Sequence, residues 1–114
     1  KILSKLVWYY QDNNPPKAAN YSDIAIELSK KNPNKKFLER AYQDKANTCE
    51  SLGLYEESII YNLKALALAK ESNDSVSITT VYNNMGITYN QMGDYALAVY
   101  HLLKAIQLDE KRND

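Results

Sequence analysis

Apolar residues recur along this chain at spacings of three and four, interrupted by short polar or turn-forming runs, the pattern of consecutive amphipathic helices. Ile2, Leu6 and Tyr9, flanked by Leu3 and Tyr10, make a first stripe that stops at Asp12-Asn13-Asn14-Pro15-Pro16. Proline has no N–H to donate and biases the residue before it away from helix, so one helix is predicted to end there. Pro16 suits the first turn of the next, which is predicted to run to about Lys31 with Ala18, Ala19, Ile24, Ala25 and Leu28 facing inward. Asn32-Pro33-Asn34 breaks it. Phe37, Leu38, Ala41, Tyr42, Ala46, Cys49 and Leu52 predict a third helix, ended by Gly53, where a left-handed residue is wanted. A fourth follows from Tyr55 to about Lys70, with Ile59, Leu63, Leu66, Leu68 and alanines at 65, 67 and 69. Ser72-Asn73-Asp74 separates it from a fifth, built on Val76, Ile78, Val81, Tyr82, Met85, Tyr89 and Met92 and closed by Gly93-Asp94. Tyr95 to about Lys111 forms the sixth, and Asn113-Asp114 is the counterpart of Asn73-Asp74.

Sliding the sequence on itself by 40 residues aligns it without insertions. Asn13, Gly53 and Gly93 coincide, as do Ala18, Ser58 and Ala98; Ala25, Ala65 and Ala105; and Ile26, Leu66 and Ile106. In the preceding helices Leu6, Ala46 and Gly86 align, with Ile2, Tyr42 and Tyr82 and with Tyr9, Cys49 and Tyr89. Antiparallel helices approach within about 8–10 Å only where one side of the contact is small. The small columns are therefore predicted helix contacts, and the tyrosine columns fill the space beside them. A single helix pair cannot bury its apolar face, so each pair must be covered by the next.

Composition changes this picture little. With 45% hydrophobic and 25% charged residues the chain is ordinary globular material, and its zero net charge gives no case for nucleic acid or an anionic membrane as partner. The balance hides a gradient: residues 1–36 carry four more basic than acidic side chains, and 37–114 the reverse. No apolar run approaches the roughly 20 residues that cross a bilayer. One cysteine, Cys49, excludes an intrachain disulfide and leaves the compartment open, cytoplasmic or periplasmic. The chain opens on Lys1 without an initiator methionine, so a fragment or processed form of a longer protein is expected.

Tyr82-x2-Met85-Gly86-x2-Tyr89-x3-Gly93-Asp94-Tyr95-x2-Ala98-x6-Ala105 resembles the tetratricopeptide repeat (TPR), with Gly53, Tyr55, Ser58, Ala65 and Leu66 matching it in the second unit. The first unit matches less well, with Pro15 in place of the turn tyrosine and Leu6 in place of the small residue. Lys5 and Lys45 stand where the pattern has leucine, and Asn62 where it has a large apolar residue. The 40-residue period exceeds the usual 34 of the family. The resemblance implies an all-α, right-handed α-solenoid of three helix-turn-helix pairs, six helices in one array with units at about 1–34, 35–74 and 75–114. Asn83-Asn84-Met85-Gly86-Ile87-Thr88-Tyr89 and Asp12-Asn13-Asn14-Pro15-Pro16-Lys17-Ala18-Ala19-Asn20-Tyr21 are also similar to TPR segments of bacterial signalling proteins, in which such arrays precede a histidine kinase, a cyclase or a helix-turn-helix output module.

The resemblance implies a protein or peptide partner held on a concave face lined by the first helix of each unit. Carried over position by position, that lining comprises Val7 and Tyr10; Arg40, Gln43, Asn47 and Glu50; and Asn83, Ile87, Asn90 and Gln91. Amide side chains there offer both donors and acceptors to a peptide backbone. The basic clamp with which some family members hold a C-terminal carboxylate needs several cations at these positions, and only Arg40 fits. Trp8-Tyr9-Tyr10 reads either as a binding anchor or as a first helix left uncovered by an upstream repeat. His101 has no second histidine beside it, and Gly53, Gly86 and Gly93 are not followed by the Lys-Ser/Thr of a phosphate loop. No cofactor, metal or catalytic constellation is predicted. Two alternatives to the signalling role stay open: a free-standing adaptor, and self-association through the last helix, whose Ala98, Leu102, Ala105 and Ile106 make an uncovered stripe.

Overall fold

The computed structural model describes residues 2–113. Six helices follow one another: α1 (Ile2–Asn13), α2 (Pro15–Lys30), α3 (Lys35–Ser51), α4 (Tyr55–Glu71), α5 (Ser75–Met92) and α6 (Tyr95–Arg112). Their ends are written locally. Asn14 ends the first stripe and caps α2, its side chain accepting from the Lys17 amide, while the two prolines occupy a first turn that needs no N–H. Asn34, Asp74 and Asp94 cap α3, α5 and α6 in the same way. Leu54 has no side chain able to cap α4, and Glu56 and Glu57 in its first turn face the positive end of the helix instead. Gly53 and Gly93 take the left-handed conformation (φ 78° and 83°) that returns the chain after α3 and α5, and Asn73 takes it (φ 54°) after α4. Asp114, the last residue of the predicted Asn113-Asp114 close, lies outside the described residues.

The helices pair as α1/α2, α3/α4 and α5/α6, and the second helix of each pair packs on the first helix of the next. The core is accordingly a chain of clusters. Ala25 and Ile26 of α2 meet Leu38 and Ala41 of α3. Ile59, Ala65 and Leu66 of α4 meet Val81, Tyr82 and Met85 of α5, joined by Ala105 of α6. Tyr42 lies against both clusters and makes them continuous. This is an all-α helical-repeat solenoid, folded into a slab of 36 × 33 × 19 Å.

The small columns sit where the helices of a pair approach. Ser58 is buried and donates to the Ala46 carbonyl oxygen at 2.8 Å, locking α4 on α3. Gly86 faces Leu102 and the Ala98 carbonyl so closely that a Cβ would lie 2.6 Å from Leu102 Cγ. Translated by the repeat, this contact reads Leu6 with Ser22 in unit one, Ala46 with Asn62 in unit two and Gly86 with Leu102 in unit three. As one member shrinks the other grows. Asn62, which departs from the apolar pattern, is fully buried there, its Oδ1 without a partner among the described residues.

Several inward assignments are corrected, and Ile2 and Val76 are exposed too. In α2, Ile24 and Leu28 point outward, and the buried face is Ala18, Ser22, Ala25 and Ile26. Ser22 fits it because its hydroxyl donates back to the Ala18 carbonyl at 2.9 Å, so a small polar residue is buried without an orphaned group. Leu63 is exposed, its neighbour Asn62 taking the interior position. Tyr9 is exposed as well.

Candidate functional site

The first helices of the three units present a shared face, and polar side chains fix their spacing. Ser4 of α1 donates to Asp44 of α3 at 3.0 Å. Burial pushes the Asp44 carboxyl above the usual carboxylate range, against the pull of the Ser4 hydroxyl and of Arg40. Between α3 and α5, Thr88 donates to Glu50 at 3.3 Å near one end. At the other end Glu39, a buried carboxylate, accepts from Lys36 at 2.8 Å and from the Ser77 hydroxyl at 3.0 Å. Lys36 also pairs with Asp74, the residue capping α5.

That last contact ties the groove geometry to pH. The Lys36 ammonium, followed by the Ser77 amide, holds the Asp74 carboxyl below its ordinary value. Burial opposes the Lys36 charge, but its hydrogen bonds to Asp74 and Glu39 outweigh this and raise it. A depressed carboxyl stabilises the fold above its unfolded value, about 3.9, and the gain is lost as pH falls through the folded value. A raised lysine stabilises below about 10.4, and loses its effect as pH rises through the folded value. We expect Lys36→Met to be less stable than the parent at neutral pH, with the gap closing on acidification below about pH 4. Urea denaturation at a series of pH values measures it; a gap that widens with acid excludes the Asp74 contact as its source.

The predicted lining residues separate into those free to bind and those already engaged. Arg40 is exposed, reaching Asp44 only at 3.8 Å, and Gln43 and Asn47 are half-buried along the same face of α3. Asn83, Ile87 and Asn90 are exposed on α5. Glu50 is half-buried and bonded to Thr88. Gln91 lies apart, on an open cleft of about 480 Å³ that it lines with Leu54, Tyr55, Glu57 and Met92 at the turn after α3.

Unit one does not contribute as predicted. Val7 is 1% exposed and has no surface to offer a ligand. Because α1 rests on α3 as well as on α2, the face Val7 shares with Leu3 is closed. Tyr10 is half-buried and stacked on Tyr21 of α2 (ring centroids 5.8 Å apart), with the Lys17 ammonium 4.6 Å over its ring. These contacts hold α1 against α2. A shallow cleft of about 180 Å³ bounded by Leu3, Leu28, Phe37 and Arg40 was not anticipated, because it needs Leu28 on the surface. The cross-helix ties were also missed, although Ser4 and Asp44 lie one repeat apart in the sequence.

His101 packs among Tyr82, Tyr89 and Tyr100, and Cys49 is buried, its thiol pushed upward by burial. Among the described residues no three His, Cys, Asp or Glu side chains are grouped to hold a metal, and no helix is long and apolar enough to cross a membrane.

Paired helices repeating at a fixed offset, with small residues at the contacts and a polar face along their first members, define a helical-repeat array. The tetratricopeptide-repeat family profile matches residues 37–111, and the chain belongs to that family. No curated protein sequence matches it. Among solved structures it is similar to the TPR domain of FLU from Arabidopsis, with a TM-score of 0.87 at 24% identity over 96% of this chain and 93% of that one. At that identity the likeness speaks to the fold alone.

Proposed function

We propose that the array binds an extended segment of a partner protein along the face of α3 and α5, and that it serves as the sensory or regulatory part of a larger bacterial signalling protein. Membership of the TPR family supports the general role, a protein-interaction scaffold without catalysis of its own. What supports the site is the exposure of Arg40 on α3 and of Asn83, Ile87 and Asn90 on α5, with Gln43 and Asn47 half-buried beside Arg40. Amides bracket a peptide backbone in either direction, Ile87 offers an apolar contact, and Arg40 favours an acidic side chain. The face is pre-spaced by the Glu39–Lys36–Ser77 and Glu50–Thr88 ties, which lowers the ordering cost of binding. The signalling context rests on the motif texture of α5 and of the α1–α2 turn, and a free-standing adaptor is the alternative.

A peptide selected from a random decapeptide library against the parent is the probe. Asn47→Ala with Asn83→Ala is expected to weaken it roughly tenfold or more, since each lost hydrogen bond is worth about 1 kcal/mol. Unchanged affinity removes these rows from the site.

A second reading, self-association through the last helix, has its own support. Ala98 and Ala105 of the predicted stripe are buried against α5, but Ile106 is open, together with Val99.

A further inference from the structure

The second helices of the three units start at equivalent positions, and one start departs from the other two. Asn14 and Asp94 cap α2 and α6 with their side chains, as polar residues do at that place. Leu54, one repeat from each, has no group to offer, so α4 begins without a side-chain cap. Nor does Leu54 turn inward in compensation, being 43% exposed. A position that gives up a cap for an open leucine breaks a local rule, and such breaks collect at functional sites.

Leu54 borders the open cleft of about 480 Å³ between the turn into α4 and the end of α5. Both walls are turns inside the array, at the boundary of units two and three. Leu54 and Met92, itself 39% exposed, supply apolar surface, and Glu56 and Glu57 supply charge. Neither glutamate makes an ion pair or a side-chain hydrogen bond among the described residues. Three and four residues further along α4 stand Ile59, Ile60 and Tyr61, so the helix offers them no cation. No lysine or arginine occurs in residues 46–63 or 71–103, the stretches that build both walls, and Lys45 just before them is held by Asp23. The α4 N-terminus offsets roughly half a charge and leaves the pair net negative. The pair is particular to unit two. One repeat earlier Lys17 replaces Glu57, and one repeat later Ala96 and Leu97 replace both acids.

We propose that this cleft is a second docking site, for a partner segment in which an arginine is flanked by apolar residues. The guanidinium meets Glu56 and Glu57, its forked donors suiting two carboxylates better than an ammonium does. The apolar neighbours rest on Leu54 and Met92, and the Gln91 amide serves the segment's backbone. The site stands independently of the α3 and α5 face, whose exposed charge is Arg40, so the two read segments of opposite sign.

Amide correlation NMR spectra of the isotope-labelled protein, titrated with capped pentapeptides, test this. The probe is acetyl-Ala-Leu-Arg-Leu-Ala-amide, and its controls replace the central Leu-Arg-Leu by Leu-Glu-Leu or Gly-Arg-Gly. We expect the probe to move the amides of residues 53–57 and 91–92 saturably, with a roughly millimolar Kd, and neither control to saturate. Glu56→Gln with Glu57→Gln is expected to weaken the probe about fivefold. Leu54→Asn is expected to weaken it as well, yet to raise the midpoint of urea denaturation, because it installs the cap that α2 already has. All three side chains are exposed, so the variants keep the parent's helical circular dichroism. If the probe moves no amides, or the glutamate control binds equally well, the site is overturned. If the probe moves the amides of Arg40, Asn47, Asn83 and Ile87 instead, the cleft is overturned while the face proposed above stands. If Leu54→Asn lowers the denaturation midpoint, or the Gly-Arg-Gly control matches the probe, the apolar half of the site is overturned.

Discussion

Replacing Gly86 with leucine is expected to destabilise the array by about 3 kcal/mol, and adding Leu102→Ser to return most of that loss. Even a Cβ at Gly86 would lie 2.6 Å from Leu102 Cγ and 3.3 Å from the Ala98 carbonyl oxygen. The helices cannot part to make room without opening the contacts of Ala98 and Ala105, both buried. Removing a mid-helix glycine favours the helix by roughly 1 kcal/mol, which works against the clash but is smaller. Leu102→Ser alone removes a half-buried leucine and is expected to cost roughly 2 kcal/mol. The double variant installs the pair that unit one already uses, Leu6 with Ser22, and should come within about 1.5 kcal/mol of the parent. Denaturation of the four proteins closes a cycle with a coupling of about 3.5 kcal/mol. Additive losses would mean that the small column does not report on the facing helix at all.

The same column shows what could be read before any coordinates. Six helices and their 40-residue offset follow from apolar spacing and from Ala25/Ala65/Ala105 and Leu6/Ala46/Gly86, because close helix contact is a local demand that each unit must meet. The direction of α2 was misread for a related reason. Its apolar residues fit two stripes, and the one buried is the smaller, Ala18, Ser22 and Ala25, since α1 and α3 both approach it. A count of large apolar residues favours Ile24 and Leu28, which are outside. In the candidate site, helical register predicts the rows on α3 and α5, and their side chains are exposed or half-buried. Val7 was not legible, because its burial depends on how far α1 leans on α3, a tertiary fact that no spacing within α1 encodes. Asn62 and Lys45 both looked like faults in the pattern: Lys45 meets an acid, whereas Asn62 is buried with its Oδ1 without a partner among the described residues.

For Lys45 this leads to a second coupling. Asp23→Leu alone is expected to destabilise the fold by about 2 kcal/mol, and Lys45→Met added to it to restore stability. The Lys45 side chain is only 12% exposed, while Asp23, at 59%, reaches it from α2 across the boundary between units one and two. Burial works against the Lys45 charge, but the Asp23 hydrogen bond and charge overcome it, so the ammonium is held above its ordinary value. Removing the acid leaves that ammonium enclosed beside the Tyr61 ring, 5.9 Å from its centroid, without a counter-ion. The loss falls below the 3–5 kcal/mol typical of a fully buried pair because Asp23 is largely hydrated already. Leu63 and Met85 occupy the same two positions at the next boundary, so the double variant copies a solution the chain already contains. A raised lysine contributes stability below its unfolded value of about 10.4, and that contribution is lost as pH rises through the folded value. The parent should therefore lose stability above about pH 10.4 relative to Asp23→Leu/Lys45→Met, which has no charge to lose there. If Asp23→Leu instead matches the parent at neutral pH and the two curves stay parallel into alkali, Lys45 is neutralised by something other than Asp23, and the boundary between units one and two is held by apolar contact alone.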